Sequence, residues 1–207
     1  GHKEVCELLI EKGAEIEAAN GDGVRALMLA SWNGHKEVCE LLIEKGAEVN
    51  AANKDGFRAL MIAAQNGNKE VCKLLIEKGA EIEAANKDRV RALMLAAQEG
   101  HKEVCEILIE RGAEIEAATK GGLRSLMLAA INGHKEVCEL LIEKGANVNL
   151  KNNWENTPLH ITAQRGHLDT CKLLLQKGSD ITAKGNDGDT PLHCAAIGGF
   201  TEICGIL

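Results

Sequence analysis

The sequence predicts an all-α solenoid of stacked helix-turn-helix units with β-hairpin fingers, and three observations carry that expectation. Cysteines stand at 6, 39, 72, 105, 138, 171 and 204, each 33 residues from the next. A Leu recurs in one register at 27, 60, 93, 126, 159 and 192, and a Gly followed by a small residue at 13, 46, 79, 112, 145 and 178. The chain is 45% hydrophobic yet has only two Phe, two Trp and no Tyr, so its core must be aliphatic. A period of this size marks supersecondary units that bury their apolar faces only against one another. Twenty-two Gly against two Pro fits short helices cut by glycine turns.

The elements of one unit follow in order. Arg58-Ala-Leu-Met-Ile-Ala-Ala-Gln65 reads as a short apolar helix, and Asn66-Gly67 breaks it. Lys69-Glu-Val-Cys-Lys-Leu-Leu-Ile-Glu-Lys78 is a second helix with Val71, Leu74 and Leu75 on one face, and Gly79 ends it. The stretch 81–88 starts with alternation, turns polar, and reads as an extended finger. Residues 1–207 are expected to form a single array of about six repeats. Both ends fall inside a repeat, because 1–12 hold only a second helix and 201–207 only begin one.

The sequence resembles the ankyrin-repeat family. Thr157-Pro158-Leu159-His160 and Thr190-Pro191-Leu192-His193 match that family's signature, and Ala-Ala, Gly-His and Leu-Leu elements follow in the family's order along the whole chain. Four copies depart from it, with Arg25-Ala26-Leu27-Met28, Arg58-Ala59-Leu60-Met61, Arg91-Ala92-Leu93-Met94 and Arg124-Ser125-Leu126-Met127 in place of the signature. These lose the N-capping hydroxyl and the His, so their first-turn hydrogen bonds need another source. The resemblance implies a non-enzymatic protein-protein interaction scaffold whose fingers and first helices line a partner-binding groove. Two alternatives stand beside it: an engineered or selected scaffold, and a targeting module of a larger enzyme or effector. It also implies that His160 and His193 are structural, and that Asn50 and Asn149, each eight residues after a Leu (Leu42, Leu141), match a position hydroxylated in the family.

Second helices are nearly identical, as 36–45 and 135–144 show, while variation collects at the fingers and first helices. One variable column reads Val24, Phe57, Val90 and Leu123 before turning polar at Asn156 and Asp189. Another holds Trp32, Gln65, Gln98, Ile131, Gln164 and Ile197. With Asp55, Lys87, Arg89 and Trp154 at the finger tips, these supply the expected partner contacts. Val24, Phe57, Val90 and Leu123 either form an apolar stripe for a partner or pack against neighbouring fingers. The Arg column at 25, 58, 91 and 124 either meets an acidic ligand or pairs internally with Glu15, Glu17, Glu48, Glu81, Glu83, Glu114 and Glu116, which recur near the finger start, and internal pairing is the simpler account.

No catalytic or metal-binding set is expected, and no cofactor. The Cys column follows apolar residues at helical core positions, contains no Cys-x-x-Cys pair, and is spaced too widely along a stack for disulfides. It reads as small buried hydrophobes whose free thiols suit a reducing cytoplasm or nucleus. The turn histidines at 2, 35, 101, 134 and 167 are replaced by Asn68 and Phe200 in other copies, which argues for structure over chemistry. Gly21-Asp-Gly-Val-Arg-Ala26 matches a loose dinucleotide pattern without the strand and long helix it requires. A net charge of −7 disfavours nucleic acid, and no apolar run approaches the ~20 residues of a membrane span. Residues 151–207 carry 5 basic and 6 acidic side chains, so residues 1–150 hold −6 of the total and favour a basic or amphipathic protein partner.

Overall fold

The computed structural model describes residues 2–207, which divide into two compact units. The first runs to Ala96 and includes Glu103–Ala113. It holds α1 (Lys3–Glu11), α2 (Ala26–Trp32), α3 (Lys36–Glu44), α4 (Ala59–Gln65), α5 (Lys69–Glu77), the start of α6 (Ala92–Gln98) and all but the first residue of α7 (Lys102–Glu110). The second unit, Ala97–Lys102 with Glu114–Leu207, holds the end of α6, then α8 (Ser125–Ile131), α9 (Lys135–Glu143), α10 (Pro158–Arg165), α11 (Leu168–Gln176), α12 (Pro191–Gly198) and α13 (Thr201–Ile206). The described residues contain no strand, as an all-α repeat fold requires.

First and second helices bury themselves differently because their sequences differ. Ala59 through Ala64 are all buried, since the first six residues of this helix are Ala, Leu, Met and Ile and only its last, Gln65, is polar. The second helix of the same repeat is amphipathic: Val71, Cys72, Leu74 and Leu75 are buried while Lys69, Glu70 and Glu77 are exposed. In the first unit α2 packs on α3 and α4, and α3 on α1 and α5; in the second, α10 packs on α8, α11 and α12. Full burial of a Leu such as Leu75 contributes ~2–3 kcal/mol.

Each second helix stops at a glycine for a geometric reason. Gly46 sits at φ 100°, its N–H donates to the Ile43 carbonyl at 3.0 Å, and the Ala47 N–H donates to the Leu42 carbonyl at 2.9 Å. This pair of bonds satisfies the last carbonyls only if the residue between them is left-handed, which glycine reaches without strain.

The fingers are tight turns rather than β-hairpins. Each closes with two backbone bonds, such as Asn53 N–H to the Phe57 carbonyl at 2.9 Å and Gly56 N–H to the Asn53 carbonyl at 3.0 Å. The Asn53 Oδ1 then accepts from the Asp55 and Phe57 amides at 3.0 and 2.9 Å, and Asn20, Asn86 and Asn152 do the same in their fingers. An Asn side chain that takes two amides leaves no ladder for a strand to join. Neighbouring fingers touch through isolated bonds, Lys54 N–H to the Asp22 carbonyl and Asn153 N–H to the Gly121 carbonyl.

The signature His160 organises the start of α10. Its Nδ1 accepts from the Thr157 N–H at 3.2 Å and from the Thr157 hydroxyl at 2.8 Å, while Nε2 donates to the Asp189 carbonyl of the next finger at 3.1 Å. These roles require the neutral ring, and burial holds its pKa below the ordinary 6.5. The native state therefore binds fewer protons than the unfolded chain, so this contribution is complete above pH 6.5 and is lost progressively below it. Urea denaturation should give a lower midpoint at pH 5.5 than at pH 7.5. His160→Gln should flatten that difference and lower the midpoint at pH 7.5, consistent with a cap worth ~1 kcal/mol.

Candidate functional site

The four Arg residues solve the problem left by the missing Thr and His. Arg25, Arg58 and Arg124 stand at the N-caps of α2, α4 and α8 in extended conformation and make no side-chain cap bond. Instead each guanidinium reaches forward. Arg25 Nη1 donates to the Gly23 carbonyl at 3.3 Å and to the Ala52 carbonyl of the next finger at 3.0 Å, and Arg124 joins Gly122 to Lys151 in the same way. The expected internal pairs form: Arg25 with Glu17 at 3.0 Å, Arg91 with Glu83 at 3.3 Å and Arg124 with Glu116 at 3.4 Å. Their Nε atoms face the carboxylates without hydrogen-bond alignment, and the Glu partners are about 40% exposed, so each ion pair adds at most ~1 kcal/mol.

Asn50 occupies the column of Glu17, Glu83 and Glu116, and Asn149 is its counterpart before Thr157. Asn50 Nδ2 donates to the Gly79 carbonyl at 3.0 Å and Oδ1 accepts from Glu81 N–H at 2.9 Å; Asn149 binds the Gly178 carbonyl and Asp180 N–H identically. Both ends of each amide thus tie one finger base to the next repeat. Glu17 keeps the acceptor half of this role, taking the Glu48 N–H at 3.0 Å, and spends its other oxygen on Arg25.

Turn histidines are structural fasteners. His134 Nε2 meets the Gln98 carbonyl at 3.0 Å and His167 Nε2 the Ile131 carbonyl at 2.9 Å. Asn68, in the same slot, donates at 2.8 Å to the carbonyls of Ser31 and Trp32, which explains why Asn replaces His there. Gly133 is glycine for two reasons: its φ is 72°, and a Cβ would stand 2.5 Å from His167 Nδ1.

The cysteines are all free, and those at 39, 72, 105, 138 and 171 are buried. Burial pushes the thiols of Cys72, Cys105 and Cys138 up to about 12, which removes the thiolate that metal binding or redox chemistry requires.

Five of the expected partner residues meet in one cleft of the first unit. Val24, Trp32, Asp55, Phe57 and Gln65 line a cavity of about 380 Å³ floored by the buried Met28 and Ile62. Trp32 is 52% exposed, while Val24 and Phe57 are half-buried. At Val24 and Phe57, part of each side chain is covered and part faces the opening. Leu29, 55% exposed on the same wall, escaped the sequence reading. Its only signal is the three-residue spacing to Trp32 on one helical face. Val90, half-buried, closes the finger begun by Asn86, and the exposed Lys87 and Arg89 lie at that tip. In the second unit Gln98, Leu123 and Ile131 are half-buried, and Trp154 lines a separate, polar cleft.

Arg89 and Glu155 are the two described non-glycine residues with positive φ, at 61° and 58°. They occupy the column that Gly23, Gly56, Gly122 and Gly188 fill elsewhere. A side chain here strains the backbone by ~1 kcal/mol, a cost that glycine avoids.

A family model described as ankyrin repeats matches three segments of the chain, residues 1–53, 50–119 and 126–207. No curated protein matches it at a significant level.

Two outcomes follow. Alkylation of the native protein at pH 8, read by peptide mass spectrometry, should label Cys6 and Cys204 readily, Cys194 more slowly, and leave Cys72, Cys105 and Cys138 largely unmodified until denaturant is added. Arg89→Gly should raise stability by up to ~1 kcal/mol in urea titration, because left-handed backbone there no longer carries a Cβ.

Proposed function

Since the chain belongs to the ankyrin-repeat family, whose repeats generally mediate protein-protein interaction, we propose that it binds a protein partner through the face formed by its fingers and first helices. The observation that supports this most directly is the Trp32 cleft. A large aromatic residue half in solvent, beside Leu29 and above a buried apolar floor, is the arrangement that anchors a partner's side chain at an interface centre. Asp55 adds a carboxylate to the same opening, so an apolar side chain flanked by a basic one complements it. The finger turns are locked by their Asn bonds before any partner arrives, which lowers the ordering cost of binding.

Partner capture on the immobilised chain tests this reading. Trp32→Ser, confirmed as folded by circular dichroism, should weaken capture tenfold or more while moving stability by less than ~1 kcal/mol. Undiminished capture by the folded variant would remove the cleft from the interface, and a large drop in melting temperature would make Trp32 a packing residue.

A further inference from the structure

The cleft lined by Trp154 has the same repeat register as the Trp32 cleft, four periods further along, and the opposite chemistry. Where the first unit places Val24, Trp32, Phe57 and Ile62, the second places Asn156, Gln164, Asp189 and Cys194. Asp187 repeats Asp55, and Trp154 stands where the first unit has Asp22. The result is a cavity of about 270 Å³, sized for one side chain rather than for a drug-sized ligand.

Its parts converge on one kind of ligand. Trp154 is 55% exposed; its indole rests on Gly121, where a Cβ would stand 3.3 Å from the ring, and it also lines the cavity. Asp187 and Asp189 line the same space, and no lysine or arginine does. The ammonium of Lys151 is taken up elsewhere, 3.0 Å from Glu155 Oε2 and 2.9 Å from the Lys184 carbonyl. Asp189 is held in place before any ligand arrives, because its carbonyl accepts from Gly185 N–H at 2.8 Å and His160 Nε2 at 3.1 Å. The charge of Asp189 also adds to burial in holding up the pKa of Cys194, which locates that charge beside the cavity.

An aromatic wall facing two carboxylates without a counter-cation attracts a cation through both the ring quadrupole and charge-assisted hydrogen bonds. Asn156 and Gln164 add neutral carbonyl acceptors. A planar guanidinium stacks on indole and distributes five donors among several acceptors, which an ammonium on a flexible stem matches less well. We propose that this cleft receives an arginine side chain of a protein partner. The proposal rests on the reading of the finger face as partner-binding.

The test uses Trp32→Phe, which leaves Trp154 as the sole tryptophan, and three blocked tripeptides that differ only in a central arginine, lysine or citrulline. Titration of Trp154 fluorescence should saturate with the arginine peptide at least tenfold more tightly than with citrulline, and several-fold more tightly than with lysine. Binding should weaken on raising salt from about 0.05 to 0.5 M and fall tenfold or more in the Asp187→Asn/Asp189→Asn variant, which keeps the Asp189 carbonyl that holds His160. The two indole N–H signals of the unsubstituted chain give an independent reading by NMR. Absence of saturation at tens of millimolar arginine peptide, or equal binding of citrulline, overturns the proposal; equal binding of lysine overturns its guanidinium preference. None of these failures touches the Trp32 experiment, which reads the first unit with a native partner, so the two readings fall separately.

Discussion

Within each unit, the polar groups that one repeat cannot satisfy are satisfied by a neighbouring repeat. Carbonyls at the ends of α2 and α8 are met by Asn68 and His167, the finger carbonyl of Ala52 by Arg25, and the Gly79 carbonyl and Glu81 amide by Asn50. A pair of helices seven and nine residues long is too small to bury its own apolar face, and its helix ends leave carbonyls and amides without partners. Stacking answers both deficits at once. The 33-residue period is therefore a bonding register, and a side chain out of step would leave a donor or carbonyl stranded.

Two chemically different fasteners hold this register. In the repeat that begins at Thr157, one neutral imidazole caps the helix and reaches the next finger. In the repeats that begin with Arg25 and Arg124, capping is given up and a guanidinium bridges two finger carbonyls while Glu17 or Glu116 neutralises it; Arg58, whose Glu position is held by Asn50, donates to the Asn50, Gly56 and Ala85 carbonyls instead. The Arg solution contributes little through its partly exposed ion pairs and more through hydrogen bonds to backbone groups that otherwise lack protein partners.

Because the framework is carried by repeated columns, the columns between them are free to vary without disturbing it. Equivalent positions build an apolar cleft around Trp32 in one unit and a polar, anionic cleft around Trp154 in the other. At the strained tips Arg89 and Glu155 glycine would serve the turn better; Glu155 uses its side chain on Lys151, 3.0 Å away.

The helices, their glycine stops, the burial of the cysteines, the structural role of the turn histidines and the pairing of Arg with Glu were all readable from the sequence, because each depends on spacing within one repeat or on a column's position in it. The described fingers contain no strand, although alternation at 81–83 suggested one: it looks the same whether the Asn ahead engages a strand or closes a turn with its own side chain. Leu29 and the acidic lining of the Trp154 cleft were missed for another reason. Whether Trp154 faces Asp187 and Asp189, or Trp32 faces Phe57, depends on how residues about one period apart are brought together by packing, and a sequence column records equivalence between repeats, not contact between neighbours. Register and element order were thus determined by the sequence alone; the chemistry of each cleft was decided only when tertiary packing set one finger against the next.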